Sequence, residues 1–268
     1  MSSALVQNYA RIDVAFERGE GAYLFADDGR RFLDFASGIG VTSLGHAHPG
    51  VTKALKDQAD KLWHVSNLYN IEPQARLAER LVANSFADRA FFCNSGAEAV
   101  EAALKMARIY HSTQRDTARY RVVTAANAFH GRTLATIAAG GQAKHLDGFG
   151  PKVDGFDQIE LNDLAAAKAA VGPETAAIIV EPLQGEGGIH LADSEFLAGL
   201  RALCDDAGIL LIYDEIQCGM GRTGKLWAHE WSGVTPDIMA LAKALGNGFP
   251  IGAVLATEAV AETLVPGQ

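Results

Sequence analysis

Ile209-Leu210-Leu211-Ile212-Tyr213-Asp214 is an unbroken apolar run that ends on an acid. Five bulky residues without polar alternation suit a strand covered on both faces, as in parallel sheets. The acid then arrives at the carboxyl end of the strand, where open α/β sheets bind their ligands. Similar runs recur at Arg89–Cys93, Arg121–Ala125, Ala177–Val180, Asp237–Leu241 and Ile251–Ala256. Apolar spacing of three and four residues predicts helices at Gly50–Trp63, Pro73–Phe86, Gly96–Tyr110, Asp163–Val171 and Ser194–Ala207. The alternation reads as α/β, with right-handed crossovers putting helices on the sheet faces. The first 45 residues differ in texture. Ala22–Phe25, the turn Asp27-Asp28-Gly29 and Arg31–Phe35 predict a hairpin, part of a small subdomain over 1–45 beside a large domain over 46–268.

With 268 residues, 49% hydrophobic and 21% charged, the chain can bury a large core, which excludes disordered, fibrous and disulfide-scaffold classes. The net charge of -9 has the wrong sign for neutralising a phosphate backbone, so no nucleic acid is expected as a partner. Cys93, Cys204 and Cys218 form no CxxC pair and leave one over if two were to bridge, which suits a reducing, cytoplasmic compartment. No apolar run approaches the ~18 residues of a membrane helix, and Met1–Arg11 lacks a basic flank before an apolar block. Neither a membrane nor a signal peptide is expected.

Four local patterns carry chemistry. Asn94-Ser95-Gly96-Ala97-Glu98 lies between a predicted strand and helix, with capping-box spacing, and reads either as an ordinary cap or as an anion cradle. Asp214, with Glu215 and Gln217 after it, can serve a metal, a cationic ring nitrogen or a structural hydrogen bond. Lys243 is the one charge in Asp237–Gly248 after the strand begins, and reads as a buried amine fit for Schiff-base chemistry or as a snorkelling lysine. Phe129-His130-Gly131-Arg132 offers a flat ring, a bend and a fork-shaped cation suited to a carboxylate, or a plain surface loop.

Other patterns fail on context. Gly219-Met220-Gly221-Arg222-Thr223-Gly224 matches a dinucleotide fingerprint, but Asp214–Cys218 intervene after the strand and no long helix pattern follows. Leu226 lacks the hydroxyl a Walker loop needs for magnesium. His46-Ala47-His48-Pro49 has no third ligand at metal-site spacing, so no metal is expected. Taken jointly, an anion cradle, an aromatic face, an acid at a strand end and a buried amine are what pyridoxal phosphate needs.

The ordered set resembles the class III pyridoxal-phosphate aminotransferases, most closely their acetylornithine branch. The resemblance runs through Gly19–Leu24, Leu44–Pro49, Val65–Tyr69, Asn94–Ala99, Phe129–Leu134, Glu181–Gly188, Asp214–Gly224 and Leu241–Gly252. It implies the fold-type-I architecture, a mostly parallel seven-stranded sheet with helices on both faces plus part of a small α+β subdomain. It implies that Ser95, Gly96 and Ala97 hold the phosphate, Phe129 stacks on the ring, Asp214 pairs with its nitrogen, Gln217 contacts its phenolic oxygen and Lys243 binds its aldehyde. Arg132 would grip a substrate carboxylate, and Glu186 would stand where relatives pair a glutamate with a downstream arginine. The implied reaction moves the terminal amino group of N-acetylornithine to 2-oxoglutarate, in arginine biosynthesis, by a homodimer. Ornithine, succinylornithine, succinyldiaminopimelate and 4-aminobutyrate are the alternative donors. Val100 and Ala97 stand where many relatives place Asn and Thr, which backbone binding tolerates. Relatives continue past the strand after the lysine, so the sequence is read as a fragment without the C-terminal subdomain, and a catalytically silent fragment is the competing expectation.

Overall fold

The computed structural model describes residues 4–268. They group into two compact units that divide after Trp63. The first holds an antiparallel sheet of β1 (Phe16–Glu20), β2 (Tyr23–Ala26) and β3 (Arg31–Leu33), then the short turn α1 (Ser37–Gly40) and helix α2 (Pro49–Ala59). The expected hairpin is β2–β3, and β1 adds a third strand the sequence reading lacked.

The second unit runs through α3 (Glu72–Val82), β4 (Arg89–Cys93), α4 (Gly96–Thr113), β5 (Arg121–Ala125), α5 (Leu134–Gly140), α6 (Ala143–Leu146), β6 (Phe156–Ile159), α7 (Leu164–Ala170) and β7 (Thr175–Val180). It continues through the two-residue strands β8 (Leu183–Gln184) and β9 (His190–Leu191), then α8 (Ser194–Ala207), β10 (Leu210–Asp214), β11 (Ile238–Leu241), β12 (Gly252–Ala256) and α9 (Glu258–Ala261). Seven strands form one sheet in the order β4-β12-β11-β10-β7-β5-β6. All are parallel except β12, which runs antiparallel to both neighbours.

The apolar runs are explained by the double coverage of this sheet. Leu210 and Ile212, Ile238 and Ala240, and Val254 and Ala256 pack on one face with α4. The alternate residues Leu211 and Tyr213 meet α8, while Met239, Leu241, Ala253 and Leu255 pack with Leu81 of α3 and with Trp227. α4 turns Ala99, Ala103 and Ala107 to the sheet, all without exposed surface, so small residues at four-residue spacing let the helix lie close. α8 stops at Gly208, whose φ of 64° fits the left-handed ending that glycine adopts at least cost.

β6 and α5 were not expected from the sequence. β6 is an edge strand whose centre, Asp157-Gln158, is polar; Arg121 Nε and Nη2 bond Asp157 at 2.8 and 2.6 Å, and Phe156 and Ile159 supply the burial. α5 has only seven residues, too few for a periodic signal, and is nucleated by the reciprocal Thr133–Thr136 cap. α2 and α3 end four residues earlier than expected, at Ala59 and Val82. Truncating a fully buried side chain at the centre of the sheet, Leu211→Ala, should lower the unfolding free energy by about 2–5 kcal/mol, read as a lower urea midpoint at unchanged slope.

Candidate active site

Because β4, β5, β7, β10 and β11 all point one way, the loops that follow them share one edge of the sheet. That edge gathers Ser95 after β4, Phe129–Arg132 after β5, Glu181 directly after β7, Asp214 as the last residue of β10, and Lys243 after β11. β12 enters from the same edge, Gly252 pairing with Cys93.

Asp214 is only 2% exposed. Its Oδ2 lies 2.7 Å from His130 Nδ1, and its Oδ1 accepts the Ile216 N–H at 3.0 Å. His130 is equally buried, and its Nε2 has no hydrogen-bond partner among the described residues. Burial works against the charged imidazole, but the bond and the charge of Asp214, helped by Glu181, prevail and raise its pKa. Glu181 accepts the Phe129 N–H at 3.1 Å. Burial, with the Asp214 charge adding to it and His130 opposing, pushes the Glu181 carboxyl up to about 8.

Lys243 is half-buried in a turn, Lys243–Leu245, and holds a left-handed φ of 46°. Such a backbone costs a non-glycine residue about 1–3 kcal/mol, offset here by the Leu245 N–H to Ala242 O and Gly246 N–H to Lys243 O bonds at 3.0 and 3.1 Å. Desolvation lowers the lysine pKa, against the pull of Asp214 first and then Glu186 and Glu181. Asp214 registers with Ala240 on the neighbouring strand, three residues before Lys243. Acid and amine thus serve one stretch of the edge.

α4 begins at this edge, and first-turn amides, here those of Gly96 and Ala97, have no intrahelical carbonyl to bond. Ser95 Oγ accepts the Glu98 N–H at 3.2 Å and donates to Glu98 Oε2, which also accepts the Asn94 N–H at 2.8 Å. Those bonds, from Asn94 first, hold the Glu98 carboxyl below its usual range. Gly131 (φ 132°) packs on the same turn, where an added Cβ would fall 2.8 Å from Ala97 Cβ. Phe129 is half-buried, and the exposed Arg132 sets its guanidinium 5.4 Å from the centre of that ring. Gln217 Nε2 donates to Glu186 Oε1 at 3.3 Å, and Gly185 leaves room for the Gln217 amide.

The Gly219–Gly224 segment is a loop without a helix after it. Glu215 closes it by accepting the Ala228 and His229 N–H groups at 2.6 and 2.9 Å and meeting His229 Nδ1 at 2.7 Å. A short 3-10 turn, Ala228–Trp231, follows. His46 bonds Asp34 at 2.7 Å, and His48 caps α2. His130, Glu181 and the Glu215–His229 clasp were missed as site groups. Glu181 carried the same signal as Asp214, an acid directly after a buried run.

Two findings decide the family. A sequence model of "Aminotransferase class-III" matches residues 5–268, and acetylornithine aminotransferase of Mesorhizobium japonicum is 61% identical over 99% of this chain. The chain belongs to the class III aminotransferases. It spans 66% of the Mesorhizobium protein's length. Within the family, the structure of N-acetylornithine aminotransferase from Stenotrophomonas maltophilia is similar at 46% identity and a TM-score of 0.82, over 95% of this chain and 65% of that one. Ornithine aminotransferase from Toxoplasma gondii, with pyridoxal phosphate partially occupying its active site, gives 34% identity and a TM-score of 0.95, over 98% and 63%. No helix among the described residues of this chain is long and apolar enough to cross a membrane.

The buried acid makes a stability prediction. Glu181 is neutral in both folded and unfolded chains below its ordinary value of 4.5, so it imposes no penalty there. As pH rises towards about 8 the unfolded chain ionises and the folded one resists, so the folded state loses ground. Glu181→Gln cannot ionise, and its stability relative to the parent should therefore increase from pH 4.5 to about 8, measured by urea unfolding across that range.

Proposed function

We propose that this chain is a pyridoxal-phosphate-dependent aminotransferase that moves the terminal amino group of N-acetylornithine to 2-oxoglutarate, as in arginine biosynthesis. The observation that carries the reading is the convergence of Asp214 and Lys243, from neighbouring strands, on one edge of the sheet. Similarity to acetylornithine aminotransferases supports the donor. The residues present fit the cofactor. Free amides and a hydroxyl at the start of an 18-residue helix suit a phosphate, and a buried carboxylate braced by His130 suits a cationic ring nitrogen. Pyridoxal phosphate, when bound, supplies an aldehyde that captures amines and a cationic ring that accepts the electron pair of the substrate carbon.

The chain's own residues do the rest. Ser95, Gly96 and Ala97 would hold the phosphate, Phe129 would cover the ring, and Gln217 would reach its phenolic oxygen. Asp214 would face the ring nitrogen, its direction fixed by His130 Nδ1 and the Ile216 amide, which occupy its oxygens. Lys243, with its amine shifted towards the neutral form, has a lone pair with which to bind the aldehyde. With a substrate amine in place of its own, Lys243 Nζ would be the group positioned to hold and move a proton at the substrate carbon. Arg132 binds the substrate carboxylate as a fork. Glu186, held by Gln217, is the acid that distinguishes amino donor from 2-oxoglutarate. Three unpaired cysteines suit the cytoplasm, and exposed aromatic side chains such as Phe35 and Trp63 of the first unit suit a second copy of the chain.

Borohydride reduction in the presence of pyridoxal phosphate should leave the label on the peptide carrying Lys243 and nowhere in Lys243→Ala, by mass spectrometry. No label on either chain is the outcome of a silent fragment. In a labelled chain that turns over, Asp214→Asn should cut kcat by roughly 10²–10³-fold, as when charge stabilisation is removed from a dry site.

A further inference from the structure

Beside the proposed carboxylate grip lies a basic residue that the reaction above does not use. His145 sits half-buried on α6, its ring edge-on to Phe129 with centroids 5.8 Å apart and planes at 82°. Arg132 meets the same Phe129 ring at 5.4 Å. Phe129 is therefore in contact with two basic groups. The arrangement is fixed from behind, because buried Gln142, just before α6, donates to Ala128 O at 2.9 Å and to Asn127 O at 3.3 Å. The α6 turn and the Phe129 loop are thus tied together.

We propose that His145 is a further specificity-determining residue, a second basic group that, like Arg132, packs on Phe129 and shares the substrate-carboxylate pocket. This rests on the aminotransferase reading, in which Arg132 binds a carboxylate. The charged groups acting on His145 are Arg132 from the loop after β5, Lys144 on its own turn, and Glu186 from the loop after β8. Burial first, then the two cations, keep the imidazole neutral to lower pH than usual, with Glu186 opposing. At neutral pH the pocket accordingly has one fixed cation, Arg132, and a neutral ring beside it. Protonation of His145 adds a second positive charge next to the bound carboxylate, so anion affinity is enhanced at low pH and relaxes as pH rises through the histidine's value. Linkage makes this reciprocal, and a bound dicarboxylate must raise the pKa of His145.

The test is calorimetric titration of 2-oxoglutarate into the 268-residue chain loaded with pyridoxamine phosphate, the aminated form that this acceptor meets, at about pH 5.8 and about pH 7.5 on either side of the histidine range. The parent chain should gain roughly threefold more affinity on acidification than His145→Gln, the scale of one added charge at a half-exposed site. Arg132→Gln should bind weakly at both values. A parent chain whose pH dependence matches that of His145→Gln overturns the role of His145 and leaves the function standing. A parent chain that binds no 2-oxoglutarate at either value overturns the function and this inference with it. In the parent chain itself, the His145 ring resonances should titrate below the ordinary 6.5 and move upward on adding 2-oxoglutarate; an unmoved titration overturns the proposal even where the Gln variant does not fold.

Discussion

A carboxylate buried at the end of β10 cannot stay ionised unless its oxygens are satisfied, and much of the site follows from that requirement. His130 supplies one bond and the Ile216 amide another. Bonding to His130 commits the Phe129–Arg132 loop to a path past the sheet edge, with Gly131 squeezed on the first turn of α4. Glu181 fixes the same loop from the other side through the Phe129 amide. One buried charge thereby organises the flat ring, the exposed cation and the helix start.

The second consequence is electrostatic. Lys243 lies close enough to Asp214, Glu186 and Glu181 for each to oppose the loss of its charge, yet desolvation prevails. Its amine is neither a free surface lysine nor a locked ion pair. That middle position suits a group that must bind a carbonyl carbon and carry a proton in turn.

The sheet was legible because its strands are long, apolar and doubly covered, as in Ile209–Tyr213, where sequence and structure differ by one residue at each end. β6 was hidden because its burial rests on two residues and its centre on an ion pair, a tertiary contact that no local pattern carries. At the edge, Asp214 and Lys243 stood out as charges terminating apolar runs. Lys243 was read as an isolated charge, whereas its surroundings include three carboxylates from distant parts of the chain. Glu186 stands where relatives pair a glutamate with an arginine further along the sequence; in this structure it accepts from the Gln217 amide. His130 was passed over because its value lies in a contact 84 positions away.

The lone reversed strand, β12, ties distant chemistry together mechanically. Leaving β11, the chain makes the lysine turn, doubles back, and slots Gly252 directly beneath the Ser95 carbonyl, where even a methyl group would collide. The Lys243 hairpin is thereby hinged to the Ser95 turn at the start of α4. Any insertion, substitution or tug that slides this hairpin would displace the Ser95 and Lys243 turns in concert, so the spacing between them behaves as a single inherited dimension of the fold.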